Sequence, residues 1–141
     1  MSDYVRLSLA RVLAGFAMAP LVPSLALFLV SMATGSPARE SFLFALFSSA
    51  LGYLVTIVIG VPLFLLLRSS QLNSFTTYAV SGIAIGLAVL TLLLPPSAQW
   101  VYETEHSKSL PYVAFLLLFA GYGFLAAAAF WLIARPDRRS R

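Results

Sequence analysis

Long apolar runs alternate with short polar breaks along this chain, covering residues 12–33, 42–67, 75–94 and 112–134. No Asp, Glu, Lys, Arg or His falls inside any of them. Crossing a hydrocarbon core of roughly 30 Å takes about 20 apolar residues in helical form, and each run reaches that length. Helix is the form required, because unpaired backbone groups in hydrocarbon are costly and a helix satisfies its own. A transmembrane barrel would show segments of about 10 residues with alternating polarity, and these runs do not alternate. The pattern predicts an all-α polytopic membrane protein: a single membrane domain over 1–141, built as an antiparallel four-helix transmembrane bundle.

The breaks carry turn chemistry. Thr34-Gly35-Ser36-Pro37 ends the first run, and Pro37 biases its predecessor away from helix. Residues 68–74 separate the second and third runs, with Ser74 placed as an N-cap. Pro95-Pro96 stops the third run, and Pro111 suits the first turn of the fourth. The first two connections are short, whereas an outer loop over 95–110 joins the third and fourth runs. Pro20 and Pro23 predict a kink in the first helix, and Pro62 another in the second. As a signal peptide the first run is too long and is interrupted by those prolines; Ser31-Met32-Ala33 matches a cleavage site only loosely. The helix is expected to be retained.

Composition agrees with lipid as the solvent. Hydrophobic residues make up 60% and charged residues 10%, and the mean hydropathy is +0.92; a soluble domain has about 45–50% apolar and about 25% charged residues. The absence of cysteine removes disulfide, thiolate and Cys-ligated metal chemistry. The net charge of +4 reports orientation rather than nucleic-acid affinity. Arg6, Arg11, Arg68, Arg135, Arg138, Arg139 and Arg141 share one side of a four-span topology, against Arg39 and Lys108 on the other. The positive-inside rule then puts both termini in the cytoplasm. The tail over 135–141 reads as a basic cytoplasmic anchor to anionic lipid, and Trp100, Tyr102, Tyr112 and Trp131 as interfacial anchors.

Small and polar residues carry what chemistry the spans have. Ser49, Gly52, Tyr53, Thr56 and Gly60 fall along one face of the second helix. They read as a packing face, since small residues let helices approach and hydroxyls bond across the contact; the alternative is a wet path. Gly82 and Gly86 form a GxxxG match in the third helix, which suits close packing within the chain or between copies. Counting from helix ends brings Tyr53, Tyr122, Pro20 and Pro23 to a common depth near the midplane. A buried tyrosine hydroxyl wants a partner, and a proline frees a carbonyl able to accept from it. This cluster reads either as a structural hydrogen bond or as a midplane binding site of the transporter kind. Gly52-Tyr53 and Gly121-Tyr122 match in depth, a faint internal symmetry.

The empty spans argue against ion-coupled transport and intramembrane catalysis, which place ionisable residues inside the membrane. In the outer loop, Glu103, Glu105 and His106 read as a solvated segment, since one His with two acids is an incomplete metal set. No enzyme activity, cofactor, metal or nucleic acid is expected. The stretches 60–68 (GVPLFLLLR) and 130–138 (FWLIARPDR) resemble phrases in small uncharacterised bacterial inner-membrane proteins with four transmembrane helices. That resemblance implies a multi-pass protein of the bacterial cytoplasmic membrane and brings no activity or site residue with it. The expected role is an accessory, assembly or regulatory subunit, partnered by lipid and by other membrane subunits or its own copies. The competing expectation is a small oligomeric transporter or pore with a midplane site.

Overall fold

The computed structural model describes residues 3–70, 72, 74–93 and 112–134. Residues 95–110 and 135–141, with Trp100, Tyr102, Glu103, Glu105 and His106, lie outside the described residues. Every described element is helical: α1 Asp3–Met18, α2 Leu21–Ala33, α3 Ala38–Val55, a π-helical turn Thr56–Gly60, α4 Val61–Ser69, α5 Phe75–Leu93 and α6 Tyr112–Ala134. They make four helices long and apolar enough to cross a membrane, Leu9–Ala33, Ala38–Ser69, Phe75–Leu93 and Val113–Ala134, called spans one to four below.

Local sequence explains the interruptions. Pro20 and Pro23 have no N–H for the carbonyls four residues earlier, and span one breaks between Met18 and Leu21. Upstream of Pro62 the helix widens into the π turn, and the Val61 N–H reaches the Thr56 carbonyl five residues back. A π turn relieves the crowding that the Pro62 ring imposes on the preceding turn. Span one ends in a Schellman motif: Ser36 N–H donates to the Ser31 carbonyl and Gly35 N–H to that of Met32, both at 3.1 Å. Gly35 sits at φ 86°, where a side chain is strained, so only glycine serves comfortably here. At the start of span three the Ser74 hydroxyl accepts from the Thr77 N–H at 3.2 Å, the N-cap geometry.

Spans three and four, α5 and α6, form the most extensive contact; α1 packs on α6, and α2 packs on both α3 and α6. Spans two and three are not a closely packed pair. The spans therefore line up in the order two, one, four, three. Glycines set the α5–α6 distance. A Cβ added at Gly82 would strike the Gly123 carbonyl and come within 2.6 Å of the Ala127 methyl, and one added at Gly86 would strike the Phe119 carbonyl. The GxxxG face is thus spent inside the chain, against a glycine of α6 that the sequence reading passed over.

At one level an aromatic cluster ties all four spans. Phe16 lies 4.6 Å from Phe130 and 5.5 Å from Phe64, centroid to centroid. Phe64 and Tyr78 lie 5.3 and 5.8 Å from Phe130. Away from these contacts large apolar side chains point outward, Leu92 at 79% exposure and Leu117 at 70%, as lipid-facing positions should.

Gly82→Leu and Gly86→Leu should each lower stability in detergent by at least the 1–3 kcal/mol typical of overpacking, because backbone cannot yield as a side chain can. Gly121→Leu, where an added Cβ meets nothing within 4 Å, should be near neutral. Thermal melts of the three variants check the ranking.

Candidate functional site

A helix broken inside hydrocarbon leaves end carbonyls that water cannot reach. Here side chains from two other spans converge on the break, one on such an end carbonyl and one on the Pro20 carbonyl, which already accepts the Ser24 N–H at 3.4 Å. The Tyr53 hydroxyl, on span two, donates to the Ala17 carbonyl in the last turn of α1 at 2.6 Å. The Tyr122 hydroxyl, on span four, lies 3.2 Å from the Pro20 carbonyl that opens α2 and 3.0 Å from the Ser48 carbonyl of span two. Ser24 completes the group. Its hydroxyl donates to the Pro20 carbonyl at 2.8 Å and lies 3.0 Å from the Tyr122 oxygen. The Ser48 hydroxyl donates to the Ala45 carbonyl at 3.1 Å, with the Ser24 oxygen 3.4 Å away.

Proton counting shows what this arrangement can do. Tyr122, Ser24 and Ser48 own one hydroxyl hydrogen each, and three carbonyls, Ser48, Pro20 and Ala45, stand within reach of them in turn. Each donor is matched, and none is left over. The group is a pin through three spans rather than an open set of donors. A second hydroxyl pair, Ser31 and Ser41 at 2.9 Å, joins spans one and two at their connection; Ser41 is 1% exposed.

The structure gathers Pro20 and Tyr122 as neighbours. Tyr53 binds the other side of the break, and Pro23 is fully buried beside it. The carbonyls bound are those of Ala17, Pro20 and Ser48, not the Phe16 and Ala19 carbonyls whose helical donors the prolines delete. The five-residue face of span two divides. Gly52 is held by the site: an added Cβ would lie 2.6 Å from the Tyr122 hydroxyl oxygen and 3.0 Å from Pro20 Cβ. At Gly60 it would meet only Thr56 of its own helix, at 3.6 Å. Gly82 and Gly86 belong to the α5–α6 contact. Ser24 and Ser48 were missed; their signal was a serine following Pro23, and another four residues before Gly52.

Between spans two and three lies a cavity of about 770 Å³. Its walls are mainly apolar, with Phe47, Leu51 and Leu63 on one side and Ile85 and Val89 on the other. Spans one and four form the back, where Tyr122 shows, with Ser48 of span two beside it. The Phe64, Tyr78 and Phe130 rings stand at one end. The Tyr78 hydroxyl there is buried with no hydrogen-bond partner among the described residues. No group of three or more metal-ligating side chains occurs among the described residues.

These features define a class: an all-helical chain with the four long apolar helices of a multi-pass membrane protein. Comparison with family models, curated proteins and solved structures finds no match.

Two tyrosine truncations should separate. Tyr122→Phe removes the hydroxyl shared by three spans and should cost more than the average of about 0.6 kcal/mol for hydrogen bonds between helices in membranes, up to the maximum of about 1.7. Tyr78→Phe removes an unsatisfied buried hydroxyl and should be neutral or stabilising. Unfolding titrations of the purified chain decide it.

Proposed function

We propose that this chain is a non-enzymatic, multi-pass protein of the bacterial inner membrane, an accessory, assembly or regulatory subunit that acts through helix packing. In this reading it is an antiparallel four-helix bundle with both termini cytoplasmic. Opposed contact order supports the antiparallel arrangement: Gly82 faces Gly123, while Gly86, further along α5, faces Phe119, earlier in α6. The arginine distribution supports the orientation. The observation that carries the functional reading is the matched hydroxyl group at the broken helix. A polar substrate crossing at the midplane needs free donors or charges in the wall, and here the hydroxyl hydrogens are taken by carbonyls and the apolar runs over 12–33, 42–67, 75–94 and 112–134 carry no Asp, Glu, Lys, Arg or His. What the chain offers its surroundings is shaped apolar surface.

The cavity beside Tyr122 favours a second reading, a small oligomeric transporter or pore. The two are separable. As a subunit, the chain extracted in mild detergent should co-purify with a partner or with copies of itself, seen by crosslinking and mass spectrometry; a lone monomer at native abundance contradicts the subunit reading. As a transporter, reconstituted protein should show liposome flux that falls at least tenfold in Tyr53→Phe/Tyr122→Phe, and the subunit reading expects no protein-dependent flux at all.

A further inference from the structure

Span two is held in two different ways on either side of its widened turn. Before the turn, α3 is tied to other spans by hydrogen bonds. Ser41 meets Ser31 at 2.9 Å, the Ser48 carbonyl meets the Tyr122 hydroxyl at 3.0 Å, and the Tyr53 hydroxyl donates to the Ala17 carbonyl at 2.6 Å. The α3 backbone also packs closely on α2. After the turn the ties change. Among the described residues α4 makes no hydrogen bond to another span, and its backbone packs closely on none. Side chains alone hold it, with Phe64 against Phe16 and Phe130 and Leu67 in the same buried cluster. In a bilayer these are weak ties, because an apolar side chain that exchanges a neighbour for lipid gives up no hydrophobic free energy.

The join between the two halves is the place where the helix bends. The Val61 N–H reaches back five residues to the Thr56 carbonyl, and Pro62 brings no N–H to the ladder. Sharp helix kinks sit at prolines and π turns, and domain hinges concentrate their motion in a few such residues. No other span braces this turn: an added Cβ at Gly60 would touch only Thr56 of its own helix, and the turn's backbone packs closely on no other span.

The other walls of the cavity cannot follow. The Gly82–Gly123 approach locks α5 to α6, and Tyr122 ties α6 to span one. That leaves α4, which contributes Leu63, Phe64 and Leu67 to the wall. A buried group gives its movement a direction. The Tyr78 hydroxyl has no hydrogen-bond partner among the described residues, and Tyr78 shares its buried cluster with Phe64 and Leu67. It lies four residues after Ser74, about 6 Å along the helix at 1.5 Å per residue, close to the polar break over 68–74. Moving α4 outward takes Phe64 and Leu67 out of the cluster and lets water from that break answer the hydroxyl. The packed arrangement carries an unsatisfied buried donor, which is costly; the displaced one does not.

We propose that span two hinges at Thr56–Gly60, so that α4 swings relative to a fixed α3 and opens the cavity at its Phe64 end, with the unanswered Tyr78 hydroxyl favouring the open position. This goes beyond the subunit reading and does not depend on it. The chain has no cysteine, so spin labels go on introduced pairs, and double electron–electron resonance reads their distances in the full chain in lipid vesicles. Leu66→Cys with Val80→Cys, both 60% exposed, reports α4 against span three. Leu46→Cys with Leu92→Cys, also exposed, reports α3 against span three. The first pair should give two distances and the second a single narrow one. Tyr78→Phe should lower the longer-distance fraction of the first pair by about fivefold or more, since it removes the unsatisfied hydroxyl. Gly60→Ala, which fits without striking another helix, stiffens the turn and should lower the same fraction while leaving the second pair unchanged. A single narrow distance for the first pair overturns the proposal. So does equal broadening of both pairs, which would make span two a rigid rod, and so does a first-pair distribution that Tyr78→Phe leaves unaltered.

Discussion

The carbonyls at a break in a membrane helix have to be answered from within the protein. Span one breaks at Pro20, in the middle of its apolar run, where water cannot compensate. Tyr53 answers the Ala17 carbonyl at the end of α1, and across the break Tyr122 and Ser24 add to the backbone bond that the Pro20 carbonyl already accepts. These bonds come from spans two and four, so the break organises its neighbours. The helix that looks weakest in isolation becomes the one against which two others are positioned. Gly52 follows from the same constraint, since only a residue without a side chain leaves room for Tyr122 to reach the Ser48 carbonyl beside it.

A second constraint sets the other half of the array. Glycine-to-backbone approach holds α5 against α6, and α6 carries Tyr122. Among the described residues, span three is thus held to the broken helix chiefly through span four. Nothing comparable draws span two to span three, and the result is a line of helices bent round a cavity instead of a closed four-cornered bundle. The Phe16, Phe64, Tyr78 and Phe130 rings close one end of it, and the remainder is apolar wall.

Much of the architecture was legible in the sequence because burial in lipid writes a strong pattern. Twenty or more apolar residues without a charge leave little choice but a helix, and Gly35 and Ser74 marked ends that the geometry reproduces in detail. The depth match of Pro20 with Tyr122 was readable by counting rise per residue. Facing was harder to read. A helical stripe from Ser49 to Gly60 is continuous on paper, yet the break in span one and the widened turn before Pro62 alter which neighbour each position meets. Hence Gly52 touches span four while Gly60 faces open space. Ser24 and Ser48 were invisible for a related reason: a serine in a membrane helix commonly bonds its own backbone, and only the tertiary placement of Tyr122 distinguishes these two. Gly123 was passed over because it follows Tyr122 in a segment rich in glycine and alanine, where no spacing singled it out.

The account's central claim is that Tyr122 and Ser24 act together in holding spans one and four at the broken helix. A double-mutant cycle of Tyr122→Phe and Ser24→Ala, read as unfolding free energy in detergent, tests it most directly. Coupling of about 0.5 kcal/mol or more is the result predicted for residues that share one hydrogen-bond network. Two single effects that simply add would contradict it.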